Sequence, residues 1–166
     1  LLGYHIPAVS GVPLTMELLE RLKDAFPDRF GGIKDSSGDQ KRIVEFESIF
    51  GSDLLYYVGN DQLFLKALNH HGAGMITALS NVSGKLASAI WEKHLSDAPY
   101  LNLEDKLNHA RSVLEKYPPF APTIKAILHR LYKFPFWSAR PPLENLNQEN
   151  IELITENISK YILDGF

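Results

Sequence analysis

The first half of the chain alternates short apolar runs with amphipathic segments that begin at capping residues. The apolar runs predict strands over residues 1–6, 30–35, 54–59 and 73–79. Thr15, Asp39 and Asp61 are each placed to cap a helix between two of these strands. Such alternation is typical of βα units, whose strands form a parallel sheet. We therefore expect four consecutive units.

After Asn81 the pattern changes, because the remaining amphipathic segments are all helical. They predict helices over residues 83–95, 103–117, 123–133 and 148–162. The first of these closes the last βα unit, and the other three form a helical appendage. We therefore predict a sheet-containing part over residues 1–98 and an appendage over residues 99–166, joined in a single structural unit. Four βα units could form half of an eightfold barrel, or they could form a small open sheet.

Composition excludes several classes of function. The net charge of −3 is spread without a basic stripe, which argues against a nucleic-acid or anionic-membrane partner. The chain has no cysteine, and its six histidines show no metal-ligand spacing with carboxylates, so we expect no metal site. No apolar run approaches the roughly 18 residues that a membrane span needs. We expect a soluble, cytoplasmic protein.

The carboxyl ends of the predicted strands carry the candidate functional residues, because ligands of both architectures bind there. Lys34 ends a strand that should be buried, where desolvation disfavours the ammonium form and leaves a nucleophilic amine. The alternative is that Lys34 extends to solvent or pairs with Asp35. Tyr4 ends another strand and could transfer protons, or it could be a half-buried structural tyrosine. The loop 36–38 suits either an anion or helix capping.

Five stretches taken together resemble the dihydrodipicolinate synthase and N-acetylneuraminate lyase family of class I aldolases. They are residues 4–11, 32–39, 58–61, 72–82 and 140–143. Their order and spacing match the family's strands five to eight and its C-terminal helices. The resemblance implies an α/β fold that is the C-terminal half of a TIM (β/α)8 barrel, with a three-helix C-terminal appendage.

The resemblance also implies a pyruvate-dependent 2-keto acid aldolase or lyase that works through a lysine Schiff base. Lys34 would be the Schiff-base lysine and Tyr4 the proton-transferring tyrosine. The implied substrate-binding positions are Ser36, Ser37, Gly59, Asp61, Ile76 and Thr77, of which Gly59 and Ile76 would lie beside bound pyruvate. The partners would be pyruvate and an aldehyde. The covalent lysine imine would require no separate cofactor.

Two departures from the family leave the aldehyde open. Val9 stands where dihydrodipicolinate synthases usually carry an arginine that contacts a substrate carboxylate. Gln62 follows Asp61 where the sialic acid lyases have a glutamate. An aldolase for another 2-keto-3-deoxy sugar acid fits at least as well.

The family's strands one to four have no counterpart in these residues. We expect either a fragment of a longer enzyme or a chain that forms a homo-oligomer. In the second case, two copies would pair their half-sheets in a swapped dimer, because exposed edges of an apolar parallel sheet need a partner. The alternative functions are a catalytically silent half-barrel with an assembly role and a module that binds a small anion at loop 36–38.

Overall fold

The structure is a computed structural model that describes residues 1–162. Residues 163–166, the end of the predicted appendage, lie outside the described residues. Contacts divide the chain into two compact units, Leu1–Thr77 and Ala78–Phe166. The first unit contains the sheet and the second is helical.

Four parallel strands form one sheet in the order β1-β2-β3-β4. Their bounds are Leu2–His5 for β1, Gly32–Asp35 for β2, Leu55–Val58 for β3 and Gly74–Met75 for β4. All four lie within the predicted ranges, but β4 is much shorter than residues 73–79. The Ile76 N–H still donates to the Val58 carbonyl, and the Thr77 side chain then binds Asp61. The ladder therefore ends early.

The helices of the first unit connect these strands. They are α1 (Pro7–Ser10), α2 (Met16–Ala25), α3 (Gln40–Phe50) and α4 (Phe64–Asn69), the last preceded by a 3-10 turn at Asp61–Leu63. The caps at Thr15 and Asp39 are confirmed, since their side chains accept from the amides of Leu18 and Lys41. The predicted cap at Asp61 is wrong. Asn60, with extended backbone, caps the turn by accepting from the Gln62 amide at 3.1 Å.

The two faces of the sheet differ in their surroundings. Side chains alternate between the faces of a strand, and Ile33, Tyr56 and Val58 point toward the helices and are buried. The Phe46 ring of α3 lies 4.9 Å from the Tyr56 ring on this covered face. On the opposite face, Leu2 and Leu55 are each 46% exposed. We call this second surface the open face.

The second unit consists of four helices in its described part. They are α5 (Ser80–Leu95), α6 (Leu101–Leu114), α7 (Phe120–Tyr132) and α8 (Gln148–Ile162). Helix α5 packs against α6, α7 and α8, and the Tyr132 hydroxyl of α7 donates to the Val82 carbonyl. Helix α5 thus belongs to the second compact unit, and the division at residues 98 and 99 stays a prediction. None of the described helices has both the length and the apolar character to cross a membrane.

Candidate active site

Lys34 and Tyr4 lie side by side on the open face. The register of β1 and β2 pairs Tyr4 with Lys34, and the Lys34 Nζ lies 4.1 Å from the centroid of the Tyr4 ring. Lys34 is partly exposed and Tyr4 is 50% exposed, so the amine is less buried than the sequence predicts. No described element of the first unit covers this face. The structure nevertheless brings the two candidate residues into contact.

Asp35 does not pair with Lys34. Strand alternation places its carboxylate on the covered face, where it is 3% exposed and where its Oδ2 accepts from Arg42 Nε at 2.8 Å. The alternative that Lys34 pairs with Asp35 is therefore wrong. This separation leaves the Lys34 amine beside Tyr4.

Ser36 completes the contact at the end of β2. Hydrogen bonding by the Ser36 side chain lowers the pKa of Tyr4. Partial burial opposes this effect, and the hydrogen bond and positive charge of Lys34 reinforce it. The Ser36 amide donates to the His5 carbonyl at 2.8 Å, which holds the loop against β1. The cluster therefore makes the Tyr4 phenol more acidic than an ordinary tyrosine.

Gly59 provides the space that the Ser36 side chain occupies. A Cβ at Gly59 would collide with the Ser36 hydroxyl and would lie 2.8 Å from the Asp35 carbonyl oxygen. The Gly59 amide donates to that same carbonyl at 2.6 Å. A residue with a side chain would force these two strand ends apart. The structural requirement for glycine at this position is therefore steric.

Ser37 has a structural role in the loop after β2. Its amide donates to Asp35 Oδ1 at 2.8 Å, and its hydroxyl accepts from the Asp39 amide at 3.1 Å. With the Ser36 amide bonded to His5, three amides of this loop already donate within the protein, which weakens the case for anion binding. A contact between Ser37 and substrate stays a prediction.

The remaining predicted residues lie at the ends of β3 and β4. The Thr77 hydroxyl donates to the Asp61 carboxylate at 2.6 Å, and Asp61 is buried. Ile76 is 39% exposed, and the hydrogen bond from its amide to the Val58 carbonyl places it next to Gly59. All these residues lie at the same edge of the sheet as Lys34. Their contacts with substrate stay predictions.

Sequence reasoning missed a buried polar network behind the candidate site. It contains His5, Asp35, Arg42 and Tyr56, on the covered face of the sheet. Burial raises the pKa of Tyr56, and the neighbouring Asp35 carboxylate raises it further. The available signal was strand alternation, which turns the residues after Tyr4 and Lys34 toward the helices. Residues 1–162 contain no cluster of three or more His, Asp or Glu side chains placed to hold a metal ion.

Comparison with known families identifies the chain. The model of the dihydrodipicolinate synthetase family matches residues 1–161. The chain belongs to this family. The sequence resemblance is thereby confirmed at the level of the family.

Two relatives illustrate the similarity in sequence to other members of the dihydrodipicolinate synthetase family. A DapA-like lyase of Chloroflexus aurantiacus is 32% identical over 148 residues, which cover 89% of this chain and 49% of the relative. The 4-hydroxy-tetrahydrodipicolinate synthase of Wolinella succinogenes is 30% identical over 166 residues, covering 97% and 54%. The chain thus spans about half the length of the curated relatives it matches.

Solved structures agree with the family assignment. Dihydrodipicolinate synthase from Agrobacterium tumefaciens has a TM-score of 0.81 and 27% identity, over 96% of this chain and 53% of that chain. The wild-type sialic acid aldolase of Ruminococcus gnavus has a TM-score of 0.84, over 97% of this chain and 54% of that chain. Its 23% identity supports similarity of fold alone. The α/β fold with a parallel sheet is therefore the family's fold.

Proposed function

We propose that this chain carries the reactive half of a pyruvate-dependent 2-keto acid aldolase or lyase. The observation that carries the proposal is the contact between Lys34 Nζ and the Tyr4 ring at 4.1 Å, where two parallel strands end. Membership of the dihydrodipicolinate synthetase family supports the same reaction class. Lys34 acts as the nucleophile and Tyr4 as the acid and base.

The reaction requires only groups that the substrates and these side chains provide. The unprotonated Lys34 amine attacks the C2 carbonyl carbon of pyruvate, and the carbinolamine takes a proton from Tyr4 and loses water to give a protonated imine. This imine draws electrons from the methyl group, whose proton leaves to Tyr4. The resulting enamine attacks the carbonyl carbon of an aldehyde, whose oxygen takes the proton back from Tyr4. Water then hydrolyses the imine and restores the amine, so no separate cofactor is needed.

The surroundings of Tyr4 suit this proton transfer. Hydrogen bonding from Ser36, with the positive charge of Lys34, lowers the pKa of the phenol. A phenolate that is accessible nearer neutral pH is a more effective base there. Gly59 and Ile76, which lie beside each other on β3 and after β4, would border the bound keto acid. Ser36, Ser37, Asp61 and Thr77 would contribute polar contacts or hold them in place.

Trapping the imine tests the proposed function. The 166-residue chain is incubated with pyruvate and sodium borohydride, and its peptides are mapped by mass spectrometry. We expect a reduced pyruvate adduct on Lys34 and none in Lys34→Arg, while the control Lys41→Arg keeps the adduct. An unmodified Lys34 in the unaltered chain, or an adduct on a different lysine, would overturn the proposal.

We further propose that the open face is the interior of an eight-stranded barrel. Within the described residues, β1 and β4 each pair on one side only, and the open face presents apolar side chains next to Lys34. An uncovered apolar face is unusual for a parallel sheet. The chain covers 53% of the Agrobacterium synthase, so two such halves account for one barrel.

For a chain of these 166 residues, a second copy supplies the other four strands. A twofold axis along the barrel then pairs the β4 edge of each copy with the β1 edge of the other. Multi-angle light scattering at micromolar concentration tests this proposal. We expect a dimer, and a folded monomer with native circular dichroism would overturn it.

A further inference from the structure

A partly buried hydrogen-bonded network lies directly behind the Lys34–Tyr4 pair. Its members are His5, Leu14, Asp35 and Arg42, which we call the Leu14 clamp. His5 and Asp35 immediately follow Tyr4 and Lys34, and the strand register places them opposite each other. Each is 3% exposed on the covered face. The clamp is therefore separated from the reactive pair by the thickness of the sheet alone.

The side chains of His5 and Arg42 bind the backbone of a single residue, Leu14, in the segment between α1 and α2. The Leu14 amide donates to His5 Nδ1 at 3.0 Å, and the Leu14 carbonyl accepts from Arg42 Nη2 at 3.0 Å. Arg42 also donates through Nε to Asp35 Oδ2 at 2.8 Å. Since β1 and β2 are paired, these bonds close a ring through both strand ends. The ring fixes the two ends relative to each other.

The same ring continues into the loop that carries Ser36. Asp35 Oδ1 accepts from the Ser37 amide at 2.8 Å, which sets the direction of the chain as it leaves β2. Asp35 therefore connects Arg42 to the loop through its second carboxylate oxygen. The position of the Ser36 hydroxyl beside Tyr4 therefore depends on the conformation of this loop.

The charges in the clamp suit a positioning role better than proton transfer. His5 Nδ1 accepts a hydrogen bond and so carries no proton, and burial lowers the pKa of His5. The charged groups that act on His5 are Asp35, which opposes that shift, and Arg42, which adds to it. The buried Asp35 carboxylate is matched by the Arg42 guanidinium. The clamp is therefore electrically balanced when His5 is neutral.

We infer that the Leu14 clamp positions the reactive pair, with His5 and Arg42 as positioning residues that act through the ends of β1 and β2. This inference rests on the proposed function for its catalytic consequence. The clamp holds Tyr4, Lys34 and Ser36 in register from the far side of the sheet without contacting substrate. Loosening it moves the phenol relative to the amine and the serine hydroxyl. A displacement of about 1 Å is enough to slow a positioned reaction by about 100-fold.

Substitutions at His5 test the inference with a built-in rescue. His5→Leu removes the acceptor for the Leu14 amide, whereas His5→Asn places a side-chain oxygen near the position of Nδ1. Two quantities are measured: the Tyr4 phenol titration by carbon-13 NMR, assigned with Tyr4→Phe, and the rate of borohydride trapping against pyruvate concentration. We expect His5→Leu to raise the pKa of Tyr4 and to slow trapping at saturating pyruvate by about 10- to 100-fold. The half-saturating concentration stays unchanged, and His5→Asn restores both quantities.

Arg42→Met provides the second test, with Lys41→Met as its control. Lys41 is the preceding residue of α3, carries the same charge and is exposed, so its loss leaves the clamp intact. We expect Arg42→Met to behave as His5→Leu and Lys41→Met to behave as the unaltered chain. If Arg42→Met does not fold, the His5 pair alone decides.

The outcomes separate the clamp from the proposed function. A folded His5→Leu whose Tyr4 titration is unchanged would overturn the inference, even if its melting temperature falls. Absence of a pyruvate adduct in the unaltered chain would overturn the proposed function instead. The NMR titration needs no pyruvate, so it would still decide whether the clamp holds Tyr4 in place.

Discussion

Replacing Gly59 with alanine tests the packing at the centre of the candidate site. The new Cβ would meet the Ser36 hydroxyl below van der Waals distance, with the Asp35 carbonyl oxygen at 2.8 Å and Ser36 Cβ at 2.9 Å. The carbonyl belongs to the backbone of β2 and cannot rotate away. The strand ends must therefore separate, and the hydrogen bond from the Gly59 amide to the Asp35 carbonyl must lengthen.

The size of the effect follows from overpacking. A methyl group forced into a filled site typically costs about 1–3 kcal/mol of the free energy of unfolding. For a chain of this length, each kcal/mol lowers the melting temperature by about 2–4 °C. We therefore expect Gly59→Ala to lower the melting temperature by about 2–12 °C, measured by differential scanning calorimetry. Because Ser36 is displaced from Tyr4, we also expect slower trapping of the pyruvate imine.

Gly84→Ala is the matched control. Gly84 directly follows Ser83, where the backbone of α5 departs from helical geometry, and a Cβ there meets no atom within 4 Å outside the helix's own backbone. The same substitution should stabilise the chain by about 0.4–1 kcal/mol, because alanine restricts the unfolded chain more than glycine does. If Gly59→Ala melts at or above the temperature of the unaltered chain, or if Gly84→Ala loses as much, the steric argument is refuted.

Three further perturbations address the hydrogen bonds of the first unit. Ser36→Ala should raise the pKa of Tyr4 toward its ordinary value of 10.0, while Ser37→Ala leaves it unchanged, as read by the NMR titration. Thr77→Val removes the donor to a buried carboxylate, and urea unfolding should show a loss of about 1.5–3 kcal/mol; no loss would contradict the 2.6 Å bond. Finally, the lowered pKa of His5 means that its unfolded form binds a proton first as the pH falls through 6.5. Stability should therefore fall below that pH, and the fall should be smaller in His5→Asn, whereas equal pH dependence would exclude a buried neutral His5.

Local signals in the sequence predicted much of the first unit. The strands β1 to β3 follow from short apolar runs, and the helices α2 and α3 follow from the caps at Thr15 and Asp39. These features depend on a few neighbouring residues, so the sequence contains them directly. Tyr4 and Lys34 became candidates because functional residues of parallel sheets gather at the carboxyl ends of strands, whereas their joint role came from the family resemblance.

Features that depend on distant contacts were harder to predict. After the short strand β4, the Thr77 side chain binds Asp61, which is 16 residues earlier in the sequence, and Asn60 rather than Asp61 caps the turn. The partner of Asp35 is Arg42, a choice that only strand alternation and the position of α3 determine. The exposure of Lys34 depends on what covers the open face, which lies beyond these local patterns.

The alternation of side chains along β1 and β2 also bears on how such a protein can diversify. Positions on the open face and positions that hold the scaffold are interleaved residue by residue, so a library can randomise one set while the other stays constant. Under the proposed function, residues around Lys34 on the open face could be changed to alter the aldehyde, while the residues of the Leu14 clamp are kept. Two neighbouring codons in one short strand can thus evolve under separate constraints, one chemical and one mechanical.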